Sequence, residues 1–240
     1  MPTTPKFSNV TGEIFDVAKL AEKSKAFGVY IISDATAAAG HVDISFKKLN
    51  LDAMYMSAHK MCGPTGVGAL IIKRELLRNL RPVTFGGGMV WEVGETESSY
   101  RSDVRAHEAG TTGIAEVIGF AAAIKYIQDN NILSQNSHIA DLVEYAISKL
   151  SELDDVQVSS NTNNNVGIVS FSVSGIHPHD IAEILGRHEI AMRAGHHCAQ
   201  LAMQHFKVNA LSRVSFYFYN TKQDVDNFVE ALKVAIKTLK

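Results

Sequence analysis

Asp34 ends a short apolar run, Val29-Tyr30-Ile31-Ile32-Ser33, and Lys60 lies just past a second run, Ala53 to Ser57. Strand ends in α/β sheets are where ligand crevices open. A lone aspartate there is often a turn or cap carboxylate, and a lone lysine is often solvated or phosphate-binding. A lysine held in a partly apolar crevice can, however, lose its charge and form a Schiff base with an aldehyde. Together, an aspartate and a lysine on successive strand ends are what a pyridoxal phosphate site needs. The lysine takes the aldehyde, and the aspartate pairs with the protonated pyridine nitrogen, which keeps the ring an electron sink. Ser57 and His59 flank Lys60 and could bind the cofactor phosphate. Their alternatives are a strand-end cap and an ordinary loop histidine. The run Gly63 to Gly68 lacks the trailing Lys-Ser/Thr of a P-loop and reads as a tight turn.

Cys198 follows His196 and His197 and comes soon after Arg193. A thiol in such company can be activated as a nucleophile. It could also be an inert buried cysteine. A metal site is disfavoured, because three adjacent residues do not easily reach one ion. Cys62 has no such surroundings and reads as structural. Arg213 interrupts an apolar strand pattern. It either points at a carboxylate partner or faces water from an edge strand. The remaining histidines show no HExxH pattern, and there is no GxSxG nucleophile elbow.

These residues need elements to position them. The pattern predicts a helix over Ile14 to Phe27, strands over Val29–Ser33, Ala53–Ser57 and Ala69–Lys73, and a short helix from Arg74 to about Leu80. This alternation indicates an α/β sheet with mainly parallel strands. Residues 82–112 read as a long irregular stretch, of the kind that is functional or mobile. A helix follows to about Asp129, with Ile114, Val117, Ile118, Ala121, Ala122 and Ile124 as its apolar side. Beyond it come a helix over Ser137–Leu153, strands over Val156–Ser159 and Val166–Val173, and a helix opening at Pro178. A short strand, Ile190–Arg193, leads into Ala194-Gly195-His196-His197-Cys198. Ser212–Tyr219 alternates like a half-buried strand. A final helix has Thr221 as N-cap with Asp224 three residues on. The chain divides near residue 130, into 1–129 and a smaller α+β unit, 130–240.

Composition excludes several classes. The 240 residues are 46% hydrophobic and 20% charged, near the globular average. Lys plus Arg is 23 against 25 Asp plus Glu, a net charge of −2 that points to neither nucleic acid nor an anionic membrane. No apolar run is long enough for a membrane span, and the start shows no signal peptide pattern. Two cysteines cannot build a disulfide framework. A reducing, cytoplasmic compartment is the expectation.

Four segments now combine. Ser33-Asp34-Ala35-Thr36, the stretch Met56 to Gly68 around His59-Lys60, and Glu108-Ala109-Gly110-Thr111 resemble class V aminotransferase-type enzymes, in the same order. Arg193-Ala194-Gly195-His196-His197-Cys198-Ala199 resembles the C-terminal signature of SUF-type (group II) cysteine desulfurases and selenocysteine lyases. The resemblance implies fold type I of the pyridoxal phosphate enzymes, with part of a large domain followed by a small C-terminal domain. It implies that Lys60 carries the cofactor, Asp34 binds its ring nitrogen, and Ser57 and His59 bind its phosphate. Thr111 matches a residue that reaches the phosphate in the neighbouring subunit, which implies a homodimer. The resemblance places Asn9, Arg193 and Arg213 at the substrate, Asn9 also near the cofactor oxygen, with Arg213 holding the substrate carboxylate. Cys198 matches the sulfur-accepting cysteine. The implied activity is cysteine to alanine, with the sulfur passed as a persulfide to an acceptor protein for iron–sulfur cluster assembly.

There are two departures. Ala37 stands where the family usually has a glutamine hydrogen-bonded to the cofactor's phenolic oxygen. Family members also carry a substantial segment ahead of the first matching residue. The alternative readings are therefore a selenocysteine lyase or other class V lyase or aminotransferase, and an inactive or partner-binding half that associates with a separate N-terminal half.

Overall fold

The computed structural model describes residues 3–240, which divide into two compact units. The first comprises the residues up to Lys6 together with Asp16–Asn130; the second comprises Phe7–Phe15 together with Asn131–Lys240.

The first unit holds β1 (Thr3–Pro5), α1 (Val17–Ala26), β2 (Ile32–Asp34), β3 (Ala53–Ser57), β4 (Gly68–Ile72), α2 (Arg74–Leu77), β5 (Val90–Val93), β6 (Ser98–Tyr100) and α3 (Ile114–Asp129). Its four-stranded sheet runs in chain order, β1-β2-β3-β4. The first two pairings are parallel and β3–β4 is antiparallel. The helix expected from Ile14 starts instead at Val17, because the Asp16 carboxylate caps the Lys19 N–H at 3.0 Å. Val17 and Ala21 of α1 pack with Ile31, Ala35, Leu51 and Met54. Buried Asp52 ties the sheet together. Its carboxylate accepts from the Ile31 N–H and from Lys73 Nζ, both at 2.8 Å. The irregular stretch expected over 82–112 contains the β5–β6 hairpin.

Helix α3 turns the other way from expectation. It buries Phe120, Ala123 and Ile127, while Ile114, Val117 and Ile118 are exposed. Gly119 seats it against the Pro64 ring, where a Cβ would come within 3.1 Å.

The second unit holds α4 (Asn136–Ser151), β7 (Val156–Val158), β8 (Ile168–Val173), α5 (Pro178–Arg187), β9 (Arg193–Gly195), α6 (Gln200–Phe206), β10 (Leu211–Ser215) and α7 (Lys222–Leu239). Its antiparallel sheet has the order β7-β8-β10-β9. Val169, Phe171 and Val173 of β8 share a buried face with Leu142, Leu150, Leu185, Phe228 and Leu232. Thr221 and Asp224 close a reciprocal capping box at the start of α7. The strand expected over Ile190–Arg193 begins only at Arg193, and the one expected over Ser212–Tyr219 ends at Ser215.

Residues 7–15, expected in the first part, belong to this unit. Asn165 donates to the Thr11 carbonyl at 2.9 Å, and the Ser170 hydroxyl donates to the Val10 carbonyl. Gly12, at φ +78°, lies against the Asn165 side chain, where a Cβ would collide.

Candidate functional site

Each unit carries one cluster of the expected residues. In the first, Asp34 is the last residue of β2, directly across from Tyr55 on β3. Its carboxylate accepts from the Thr36 N–H at 2.8 Å, so the turn role is real. The Tyr55 hydroxyl pKa is raised by burial and then by this carboxylate. A short 3₁₀ turn, Ala58–Lys60, follows β3. The Ala58 carbonyl accepts from the N–H groups of Met61 and Gly63, both at 2.9 Å. That closes the turn and leaves the His59 and Lys60 side chains exposed. Ser57 makes no strand-end cap; its hydroxyl bonds His59 Nδ1 at 2.8 Å. Serine and histidine thus already stand as a hydrogen-bonded pair beside Lys60.

Two residues that sequence reasoning missed sit here. One is Tyr55. The other is His41, on the helical turn that follows Asp34. Gly40 of that turn packs so closely on the Lys60–Met61 backbone that a Cβ would lie 2.9 Å from Met61 Cβ. Burial, and then the Lys60 charge, push the His41 imidazole down to about 4. Its only sequence signal is its place seven residues after Asp34. Ala37 on the same turn supplies no side-chain donor. Cys62, expected to be structural, is exposed and held at φ +61°. Thr111 is exposed on a loop braced by the Gly110 N–H, which donates to the Gly87 carbonyl at 2.8 Å.

In the second unit, Asn9, Arg193, Arg213 and Cys198 come together. Arg213 lies on β10, an interior strand between β8 and β9, which removes the edge-strand reading. Nor is a carboxylate its partner: Arg213 Nη1 donates to the Asn9 carbonyl at 2.8 Å, and Nε is buried without a partner. Its cross-strand neighbour on β9 is Arg193. Burial, followed by Arg193, lowers the Arg213 pKa. The Asn9 side chain donates from Nδ2 to the His197 carbonyl at 2.5 Å. His197 itself is buried and donates from Nε2 to the Leu211 carbonyl at 2.9 Å. Its pKa is lowered first by burial, and also by Arg213, Arg193 and His196. His197 and the exposed Cys198 are both left-handed, at φ +53° and +59°. Two successive non-glycine residues in that region cost roughly 1–2 kcal/mol each. The surrounding bonds to His197 hold them there. Among the described residues, no three His, Cys, Asp or Glu side chains converge as a metal site.

An aspartate at the end of β2 and a lysine on the turn after β3 lie in an α/β unit, and two strand arginines with a cysteine-bearing turn lie in an antiparallel unit. The chain belongs to the class-V aminotransferase family, whose model matches residues 4–228. It is 39% identical to a probable cysteine desulfurase of Halalkalibacterium halodurans, over 94% of this chain and 55% of that protein. A cysteine desulfurase of Haloferax volcanii is 36% identical, over 95% of this chain and 54% of that protein. The crystal structure of the cysteine desulfurase CsdA (S-sulfonic acid) from Escherichia coli superposes with a TM-score of 0.95 at 33% identity, covering 99% of this chain and 59% of that one. The apo cysteine desulfurase of Thermococcus onnurineus gives 0.92 at 35% identity, covering 99% and 60%. The chain therefore has the cysteine desulfurase fold and spans little more than half the length of these relatives.

Proposed function

We propose that this chain carries the residues of a pyridoxal phosphate-dependent cysteine desulfurase that converts cysteine to alanine and leaves the sulfur on Cys198. The observation that carries the reading is the pair Arg193 and Arg213, with no carboxylate in ion-pair contact among the described residues, beside an exposed Cys198 on a strained turn. Two uncompensated guanidinium groups favour a small carboxylate, and a thiol next to them favours one that carries sulfur.

The residues of the first unit fit the cofactor. The Asp34 carboxylate can face a protonated ring nitrogen, the Ser57–His59 pair offers donors to a phosphate, and exposed Lys60 offers an amine. When bound, pyridoxal phosphate supplies an electron sink for the substrate α-carbon. Lys60 holds the cofactor and later moves a proton at that carbon. Arg213 and Arg193 hold the substrate carboxylate. Cys198 Sγ takes the substrate sulfur as a persulfide, and the former cysteine leaves as alanine. Asn9 belongs to the same substrate group. We further propose a homodimer to which Thr111 contributes, a sulfur-acceptor protein as the consumer of the persulfide, and a cytoplasmic setting, which suits two free cysteines.

The test is a visible spectrum of the purified chain with pyridoxal phosphate, beside Lys60→Ala, followed by sulfide and alanine release from cysteine. The expected result is a Lys60-dependent band, with turnover lost in Cys198→Ala while the band remains. A band without cysteine turnover, or with preference for selenocysteine, would replace the desulfurase assignment. No band, with binding instead to a separately supplied N-terminal half, would make the chain one part of a split enzyme.

A further inference from the structure

We propose that Asn9 is a positioning residue that couples an anion at Arg213 to the presentation of Cys198. It deepens the reading above and rests on it only for the carboxylate ligand. Two hydrogen bonds run in series from the arginine toward the thiol. Arg213 Nη1 donates to the Asn9 carbonyl, and Asn9 Nδ2 donates to the carbonyl of His197, the residue before Cys198. The strut is anchored on both sides. The next carbonyl along the chain, that of Val10, accepts from the buried Ser170 hydroxyl, and the His197 ring is fixed to the Leu211 carbonyl.

The Arg213 end of the strut has a reason to move. Its guanidinium is partly buried, has an unpartnered Nε and faces Arg193 across the sheet. A carboxylate drawn to the free Nε–H and the neighbouring Nη donors pulls the guanidinium away from the Asn9 carbonyl, because a charged acceptor outbids a neutral one. The Cys198 end has a reason to respond. His197 and Cys198 both occupy left-handed backbone, which persists only while its surroundings hold it. Weakening the Arg213–Asn9 bond frees the asparagine and relaxes the turn that carries the thiol. Substrate binding would thereby release the cysteine that must reach the substrate sulfur.

The experiment follows alkylation of Cys198 by iodoacetamide, resolved by peptide mass spectrometry. The exposed Cys62, in the other unit, serves as an internal reference. Sodium propionate supplies a bare carboxylate, with sodium chloride at equal ionic strength as control. In the unmodified chain, propionate should raise the Cys198 rate several-fold and leave Cys62 unchanged. In Asn9→Ala, Cys198 should react at the faster rate without propionate and stay insensitive to it. Asn9→Asp, which keeps the size and removes the donor, should behave the same way. The proposal is overturned by Cys198 rates that do not change with Asn9→Ala, by an unchanged propionate response in that variant, or by no propionate response in the unmodified chain. It is also overturned by equal acceleration of Cys62, which would mark general loosening. Absence of desulfurase turnover alongside the expected alkylation pattern would count against the activity alone.

Discussion

Arg213 on β10 and Arg193 on β9 occupy directly opposed positions in the second unit's sheet. Like charges across a strand pair are destabilising, and neither guanidinium forms an ion pair among the described residues. A fold optimised for stability alone would not keep this pair. The proposed anion site would give the pair a use.

Replacing Arg193 should therefore stabilise the chain while weakening the anion site proposed for it. Arg193→Gln is expected to gain roughly 0.2–1 kcal/mol, the scale of one cross-strand charge pair. The gain should shrink as salt screens the repulsion. Urea unfolding at low and high salt measures the first effect. The carboxylate dependence of Cys198 alkylation measures the second, which should require higher propionate.

The α7 N-terminus gives a prediction free of the site. Thr221 accepts from the Asp224 N–H, and Asp224 accepts from the Thr221 N–H at 2.8 Å. Thr221→Ala removes the first bond and should cost about 1 kcal/mol, read as a lower urea midpoint. Asp34, Lys60 and Cys198 lie outside this contact, so cofactor binding and thiol reactivity under native conditions should stay the same.

The contrast between α7 and α3 shows what the sequence could reveal. Thr221, Asp224 and the stripe Val225, Phe228, Val229, Leu232, Ile236 and Leu239 mark one helix face and its start; the structure buries the first four of the stripe, half-buries Ile236 and exposes Leu239 in the last turn. The β3 limits were equally legible, because an apolar run stops at a polar, glycine-rich turn. In α3, Ile114, Val117 and Ile118 compete with Phe120, Ala123 and Ile127 for the buried side. Periodicity has no way to choose when both faces are apolar. Lys60, Asp34 and Cys198 were visible because reactive types stand at element ends. The Asn9–His197 bond and the docking of residues 7–15 onto Asn165 and Ser170 join positions more than 150 apart. No local pattern encodes such pairs.

His41 should make the chain sensitive to mild acid. Its imidazole is pushed from 6.5 down to about 4 by burial and by the Lys60 charge. Between those values the unfolded chain binds a proton that the folded chain refuses. Stability is then full above about pH 6.5 and falls as pH drops toward 4. The loss from this group is on the order of 2–3 kcal/mol. His197, also depressed by burial, acts in the same direction. Unfolding free energies at pH 7 and pH 5 should differ less in His41→Gln than in the unmodified chain. An equal difference would remove His41 as the cause.

Gly63 should prove as important to the lysine as any polar neighbour. Its N–H donates to the Ala58 carbonyl at 2.9 Å, and a Cβ added there would stand 2.9 Å from both the Ala58 Cβ and that carbonyl oxygen. Ala58 is fully buried, so it cannot step aside without moving the 3₁₀ turn that carries His59 and Lys60. Gly63 has no need of a left-handed backbone, so the penalty of Gly63→Ala is steric. Overpacking of this kind costs about 1–3 kcal/mol. The displacement should fall on Lys60 more than on the second unit, whose Cys198 turn rests on its own bonds to Asn9 and Leu211. The expected outcome is at least a tenfold weaker apparent affinity for pyridoxal phosphate in a spectroscopic titration, with the Cys198 alkylation rate unchanged. Tight cofactor binding in Gly63→Ala would show that the turn yields elsewhere and that the close Ala58–Gly63 contact does not set the position of Lys60.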